Sequence, residues 1–379
     1  MLPSLGIRNY RNLKSLDIER LARVNLIAGK NNTGKTSLLE AVSLYASEGS
    51  LLWIDELLKY RGEFYAAEST LQNNLETYSS LFHKRKAGFL DEDRIVIGPL
   101  EDVRQEMETS KELQRSLNIR FIRKKKVSRS LVDSETHEPV AFEHKWLIAE
   151  GIDEITDEEL RMGLSVSYER KNKILPMLDD LDRKNNLAYI LLQKPGNLHF
   201  VRTYRADDSY LMWSNIALTE KEDHVIQALR IIDTDVEKLA FVEDDNQQKA
   251  LIKIKDSKER HPLRSMGDGM NRILSIILAL VNASDGYLLI DEFENGLHHT
   301  VQEDLWKMIF KLAKELNVQV FATTHSDDCI HAFERVLNSN GNQKEGQYLR
   351  LDNIEGQIIP TLYSEEELDT AADQRIEVR

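Results

Sequence analysis

Residues 29–36 read Gly-Lys-Asn-Asn-Thr-Gly-Lys-Thr, which fits Gly-x-x-x-x-Gly-Lys-Ser/Thr at every fixed position. They sit where an apolar extended run, Arg23–Ala28, gives way to helical spacing at Leu38, Leu39, Val42 and Tyr45. The glycines let successive backbone N–H groups converge on one point, and a helix beginning near Lys35 adds the positive end of its dipole. A loop of this kind joins a sheet strand to a helix, so the chain is expected to be an α/β protein that cradles a triphosphate. Lys35 is expected to reach the β- and γ-phosphates and Thr36 to ligate magnesium. Gly29, Asn31, Asn32, Thr33, Gly34 and Ser37 complete the expected nucleotide loop.

Tyr287–Glu292 is an apolar run ending in two carboxylates. The first, Asp291, is expected to hold magnesium. Adjacent strand side chains point to opposite faces, so Glu292 does a different job: it is positioned to take a proton from the attacking water. His325 follows the expected strand Val318–Ala322 and the pair Thr323, Thr324, which places it at the carboxyl end of another strand, within reach of a γ-phosphate. Ser265, Gly267 and Gly269 precede a helical pattern and form a second backbone suited to anions.

The remaining composition narrows the setting. A net charge of -14 disfavours global nucleic-acid binding and leaves only local basic patches, Lys84–Lys86 and Arg123–Lys126 with Arg129, as a route to phosphate backbones. One cysteine, Cys329, excludes an internal disulfide and a multi-cysteine zinc site. The longest apolar run, Ile273–Ala283, is too short to span a bilayer and the N-terminus carries no signal-like stretch, so a cytoplasmic location with no membrane partner is expected.

Short strands are expected at Ser4–Tyr10, Ser15–Ile18 and Arg23–Ala28. From Thr219 onward helices at Glu220–Ile232, Gly269–Val281, Val301–Leu316 and Asp327–Leu337 alternate with strands, which implies a mainly parallel sheet. Residues 51–215 are weaker in pattern. They read as an α/β insertion, with strands at Ile95–Gly98, Ile119–Ile122, Tyr189–Gln193 and Leu198–Arg202 and helices at Glu101–Leu117 and Lys171–Asp182. The expected division is therefore a head of residues 1–50 and 216–379 carrying an insertion of residues 51–215.

The order of these motifs, with GIRNYRNLKSLDIERLARVNLIAGKNNTGKTSLLEAV, IDEFENGLHH and ATTHS, resembles the ABC-type ATPases of the SMC and OLD (overcoming lysogenization defect) group. The resemblance implies a P-loop NTPase of ABC-ATPase type, with a mainly parallel sheet flanked by helices. It implies ATP and magnesium as ligands and a head-to-tail homodimer, or larger oligomer, with ATP between Lys35 of one chain and the signature motif Ser265–Gly269 of the other. His325 becomes the switch histidine, Asn295–His298 the D-loop, and Arg11 a further phosphate contact. A Q-loop residue is expected after the first helix, with Arg61 and Gln72 as candidates. OLD nucleases carry a TOPRIM module after the ATPase, whereas 54 residues follow His325 here, so no intrinsic nuclease is expected. Two functions follow from the resemblance. One is an ATPase sensor or regulator in a prokaryotic anti-phage defence complex, controlling a separately encoded effector such as a nuclease or toxin. The other is an SMC- or recombination-like DNA-maintenance ATPase that clamps DNA, and a slow nucleotide-locked scaffold differs from these only in rate.

Overall fold

The computed structural model describes residues 1–64, 71–86, 88–109, 115–132, 139–148, 160–169, 171–176, 196–202, 206–244, 247–339, 342–364 and 367. It divides into two compact units. A head unit comprises Met1–Leu5, Leu16–Ser47 and Lys194–Arg379, and an insert unit comprises Gly6–Ser15 and Glu48–Gln193.

The head is built on a six-stranded sheet among the described residues. In spatial order it runs β16 (Gln357–Tyr363), β15 (Gly346–Ile354), β3 (Val24–Ala28), β14 (Gln319–Thr323), β13 (Tyr287–Ile290) and β9 (Leu198–Val201). Every neighbouring pair from β15 to β9 is parallel, and only β16 returns antiparallel at the edge. All five residues of β3 are buried, as a strand covered on both faces requires; four are apolar, and the fifth, Asn25, donates to the Ala22 and Val320 carbonyls at 2.8 and 3.1 Å. The crossovers supply helices α1 (Lys35–Ala46), α8 (His299–Glu315) and α9 (Asp327–Leu337). Helix α7 (Asp268–Asn282) is buried without interruption from Met270 to Val281, including the polar Asn271, Arg272 and Ser275 near its start. Helices α5 (Ala206–Ile216) and α6 (Lys221–Leu229) pack on α7, and an antiparallel sheet of β10 (Val236–Asp244), β11 (Gln247–Ile254) and β12 (Arg260–Pro262) completes the unit.

The insert unit is a largely antiparallel sheet in the order β2 (Leu13–Ile18), β1 (Leu5–Tyr10), β4 (Ile95–Gly98), β5 (Leu117–Val132), β7 (Leu160–Tyr168) and β8 (Lys171–Pro176). Strand β6 (Pro139–Ile148) pairs with β5, and helices α2 (Leu51–Tyr60), α3 (Leu71–Ser79) and α4 (Leu100–Thr109) accompany it.

The expected α/β fold with a mainly parallel sheet is the one observed. The expected boundaries shift at two places. Leu198–Val201 pairs in parallel with Tyr287–Ile290, and Trp213 on α5 meets Phe241 with ring centroids 6.1 Å apart, so these segments belong to the head. Gly6–Ser15 goes to the insert instead, because β1 pairs antiparallel with β4 through Gly6↔Gly98 and Ile7↔Ile97.

Two expected helices are also corrected. Lys171–Pro176 is a strand, antiparallel to β7, and within the stretch expected to be helical over Glu101–Leu117 the helix is Leu100–Thr109, with Leu117 opening β5. The strand expected over Tyr189–Gln193 and the remainder of the helix expected through Asp182 lie outside the described residues.

Candidate functional site

Parallel pairing brings the carboxyl ends of β3, β14 and β13 to one edge of the head sheet, where they deliver Gly29, Thr324 with His325, and Asp291. That edge is where open α/β sheets bind ligands. Gly29 has φ 145°, and a Cβ there would lie 2.5 Å from the carbonyl oxygen of Leu351, so only glycine fits. Asn32 and Gly34 also take positive φ, 64° and 90°, turning the loop back on itself. Thr33 Oγ1 donates to the Lys30 carbonyl at 2.8 Å, and Lys35 Nζ donates to the carbonyls of Gly29 at 2.5 Å and Lys30 at 3.0 Å. Gly34 caps α1 without a side-chain bond, so no side chain of the cap competes for the helix's first N–H groups. Asn31 and Asn32 are exposed, while Thr33 and Ser37 are buried within the turn. Burial pushes the Lys35 ammonium below its ordinary range, opposed by the charges of Asp291, Glu294 and Glu292.

The two loops meet at Thr36 and Asp291. Thr36 Oγ1 lies 3.1 Å from Asp291 Oδ2, although 255 residues separate them. Thr323 Oγ1 donates to Asp291 Oδ1 at 2.7 Å and accepts from the Glu292 backbone N–H at 2.9 Å, so one hydroxyl sets both acids. A hydroxyl and a carboxylate converging in this way fit magnesium, a hard cation that takes oxygen donors. Asp291 and Glu292 lie past the end of β13, so strand alternation is not what separates them. Glu292 has φ 50° instead, a left-handed conformation rare outside glycine, and that turn leaves Glu292 exposed while Phe293 is buried. The Phe293 ring stacks on Trp306 at 4.0 Å and 11°, which anchors the turn from below.

The signature turn is exposed at Ser265 and Gly267. Ser265 Oγ donates to the Pro262 carbonyl at 2.7 Å. Gly267, with φ 94° and ψ 166°, is the N-cap of α7 and makes no side-chain cap bond. A Cβ on Gly269 would stand 3.2 Å from the Gly296 carbonyl, so the signature turn and the expected D-loop are packed backbone against backbone within one chain.

His325 is half exposed and is held by Glu294. The Glu294 Oε1 atom accepts from the His325 backbone N–H at 3.0 Å and lies 2.9 Å from His325 Nδ1. Neither Glu294 nor Arg272 was singled out from the sequence. Arg272 sits in the apolar helix α7 at 6% exposure, donating to the carbonyls of Arg202 at 2.9 Å, Asp291 at 2.7 Å and Glu292 at 2.6 Å. Burial lowers its pKa, opposed by Glu294, Asp291 and Glu292. A lone arginine inside a mostly apolar helix was the available signal. Behind the loop, Glu40 on α1 is fully buried and pairs with Arg202 at 3.5 Å.

Arg11, Arg61 and Gln72 belong to the insert unit. The Arg11 guanidinium is buried there, pairing with Glu63 at 2.8 Å and reaching the Tyr10 hydroxyl at 3.2 Å and the Ser80 carbonyl at 3.4 Å. Its expected phosphate contact stays a proposal. Gln72 Nε2 donates to Glu76 on its own helix at 3.2 Å. Of the basic clusters, Arg85 pairs with Glu63 at 3.0 Å, and Lys124–Lys126 lie on β5 opposite Trp146–Ile148 of β6.

Residues 24–328 match the protein family described as "AAA domain, putative AbiEii toxin, Type IV TA system". An ATP/GTP phosphatase of Helicobacter pylori is 25% identical over 390 residues, covering 97% of each chain. The DNA replication and repair protein RecF of Actinobacillus pleuropneumoniae is 33% identical over 90 residues, 23% of this chain and 25% of RecF. Among solved structures, the Smc head bound to the C-winged helix domain of ScpA aligns over 97% of this chain and 99% of that one, at a TM-score of 0.47 and 9% identity. Among the described residues no helix is long and apolar enough to cross a membrane.

Proposed function

The chain belongs to the AbiEii-type AAA-domain family, and from that footing we propose that it is an ATPase in which two copies pair head to tail, each ATP lying between the Lys35 loop of one copy and the Ser265–Gly269 turn of the other. The single observation that carries the hydrolytic reading is the 3.1 Å approach of Thr36 to Asp291, which joins the phosphate loop to the acidic strand end. Backbone N–H groups of Gly29–Thr36 bind the phosphates, and Lys35 leaves its loop carbonyls to neutralise the β- and γ-oxygens. Thr36 and Asp291 would hold magnesium, which when bound neutralises triphosphate charge as the terminal bond breaks. Glu292, turned outward by its positive φ, takes the proton of the attacking water, and His325 meets the γ-phosphate. The full-length similarity to a phosphatase of ATP and GTP supports this chemistry.

The test is a pair of variants. Glu292→Gln is expected to keep ATP, accumulate as a dimer in light scattering and lose about 10²–10⁴-fold in turnover, while Lys35→Ala loses nucleotide binding. Wild-type turnover in Glu292→Gln would remove the assigned base.

The family's toxin description supports a setting in prokaryotic defence, with an OLD-like ATPase in the cytoplasm regulating a separately encoded effector. Purification from the native operon is expected to bring a neighbour-encoded protein along, and a lone chain whose phenotype survives deletion of adjacent genes contradicts it. The RecF similarity favours a second reading, DNA maintenance through a clamp. Salt-sensitive duplex binding that is abolished by Lys124→Glu with Lys125→Glu would select that reading over the first.

A further inference from the structure

We propose that Glu294 is the positioning residue for His325: it sets the ring that faces the nucleotide, and its effect on hydrolysis passes through that histidine. The inference rests on the reading of His325 as a site residue.

Glu294 is placed by its neighbours. Glu292 turns the chain through a positive φ, Phe293 is pinned in the core by Trp306 and its N–H donates to the Thr323 carbonyl at 2.9 Å, so residue 294 emerges from a fixed backbone. From there one carboxylate oxygen, Oε1, accepts from the His325 backbone N–H at 3.0 Å and lies 2.9 Å from His325 Nδ1. The backbone bond holds residue 325 and the carboxylate beside Nδ1 draws the ring toward it, although the His325 side chain is 53% exposed and would otherwise sample several rotamers. An ionised carboxylate only accepts, so its place beside Nδ1 favours the tautomer with the hydrogen on that nitrogen, which leaves Nε2 as the ring atom for a phosphate oxygen or the attacking water. Glu294 is itself only 12% exposed, and its second oxygen, Oε2, is buried with no hydrogen-bond partner among the described residues. A carboxylate kept in that position without satisfying both oxygens is costly as mere packing, and the hold on His325 is the return. Its charge also acts on Lys35 and Arg272, which places it inside the site's electrostatics.

The experiment is a double-mutant cycle on the full chain, with kcat and ATP affinity measured separately. His325→Ala is expected to lower kcat by roughly 10²-fold. Glu294→Ala should lower it to within about threefold of that, and the double variant should fall no further than the worse single one, with ATP affinity held within about threefold throughout. Glu294→Gln, which keeps the shape and the acceptor oxygen, guards against misfolding and should recover part of the loss. In 15N-histidine spectra the signal that disappears in His325→Ala should report a protonated Nδ1 in the wild type and change on Glu294→Ala. Additive losses in the double variant, or wild-type kcat in Glu294→Ala while His325→Ala is impaired, would overturn the role of Glu294 and leave that of His325 standing. Wild-type kcat in His325→Ala would overturn both.

Discussion

Arg272 donates to the carbonyl oxygen of Glu292 at 2.6 Å, from a helix that opens at Asp268, at the end of the turn proposed as the signature motif. The same nitrogen reaches the Asp291 carbonyl at 2.7 Å, so the helix that follows the turn proposed to face a second copy holds the backbone of both acids through one guanidinium. Charge-assisted bonds of this kind are worth about 1.5–3 kcal/mol each, and a left-handed glutamate needs such support to hold its backbone.

Arg272→Met should therefore strip three carbonyls of their donor and lower turnover by roughly 10–100-fold, with ATP affinity changed only a few-fold. Arg272→Lys offers one point donor instead of a fork and should recover part of the loss. Single-turnover hydrolysis beside nucleotide titration separates the two effects, and a wild-type rate in Arg272→Met would show that the clasp is idle.

Two glycines should fail in different ways. Gly29→Ala drives a Cβ to 2.5 Å from the Leu351 carbonyl, so it should cost about 1–3 kcal/mol of stability together with nucleotide binding. Gly267→Ala meets nothing within 4 Å but sits at φ 94°, ψ 166°, where only glycine rests, on an exposed turn. Backbone strain alone should lower the melting temperature, less than in Gly29→Ala where a clash is added, and turnover should fall about tenfold or more. Melting curves and ATPase assays on both variants decide the matter.

Glu40→Ala removes a fully buried partner of Arg202, a cation that also lies over Phe200 at 3.9 Å from its ring centre. Breaking a buried pair from one side costs roughly 3–5 kcal/mol. Chemical denaturation should show that loss, whereas Lys253→Ala, which breaks an exposed pair with Glu237, should leave the midpoint unchanged. Equal midpoints for the two variants would contradict the burial argument.

Cys329 is fully buried, and burial pushes its thiol far above the ordinary range, so the nucleophilic thiolate is suppressed in the native protein. An aromatic disulfide reagent should leave it unmodified for hours under native conditions and titrate it at once in denaturant. The modification rate then reports opening of the core around α9. Rapid labelling of the folded chain would count against this packing.

The phosphate loop was readable because its chemistry demands fixed residue types at fixed spacing, and Gly29–Thr36 satisfies it without reference to the rest of the chain. The strands around it were readable for a different reason: β3, β13 and β14 are covered on both faces and mostly apolar, with Asn25 and Gln319 as buried polar exceptions. Helix Asp327–Leu337 was expected with its observed bounds, because Ser326 ahead of two aspartates marks its start. The left-handed turn at Glu292 was not readable, since nothing in Asp291-Glu292-Phe293 announces a positive φ; it is imposed by the anchoring of Phe293 under Trp306. Arg272 and Glu294 were missed because their partners lie 19, 20 and 31 residues away, on other elements. Lys171–Pro176 was misread as helix because a six-residue strand of mixed polarity carries too little periodicity to be distinguished, and its pairing with β7 decides its conformation.

The sheet order has a temporal consequence. Val24–Ala28 emerges early in synthesis, yet both of its parallel neighbours, Gln319–Thr323 and Gly346–Ile354, come from some three hundred residues downstream. At ribosomal speeds of about 5–20 residues per second, the apolar segment ahead of the phosphate loop stays without those neighbours for tens of seconds. Assembly must then close loops of several hundred residues, which makes the nucleotide edge of the sheet a late and slow event in the birth of the protein.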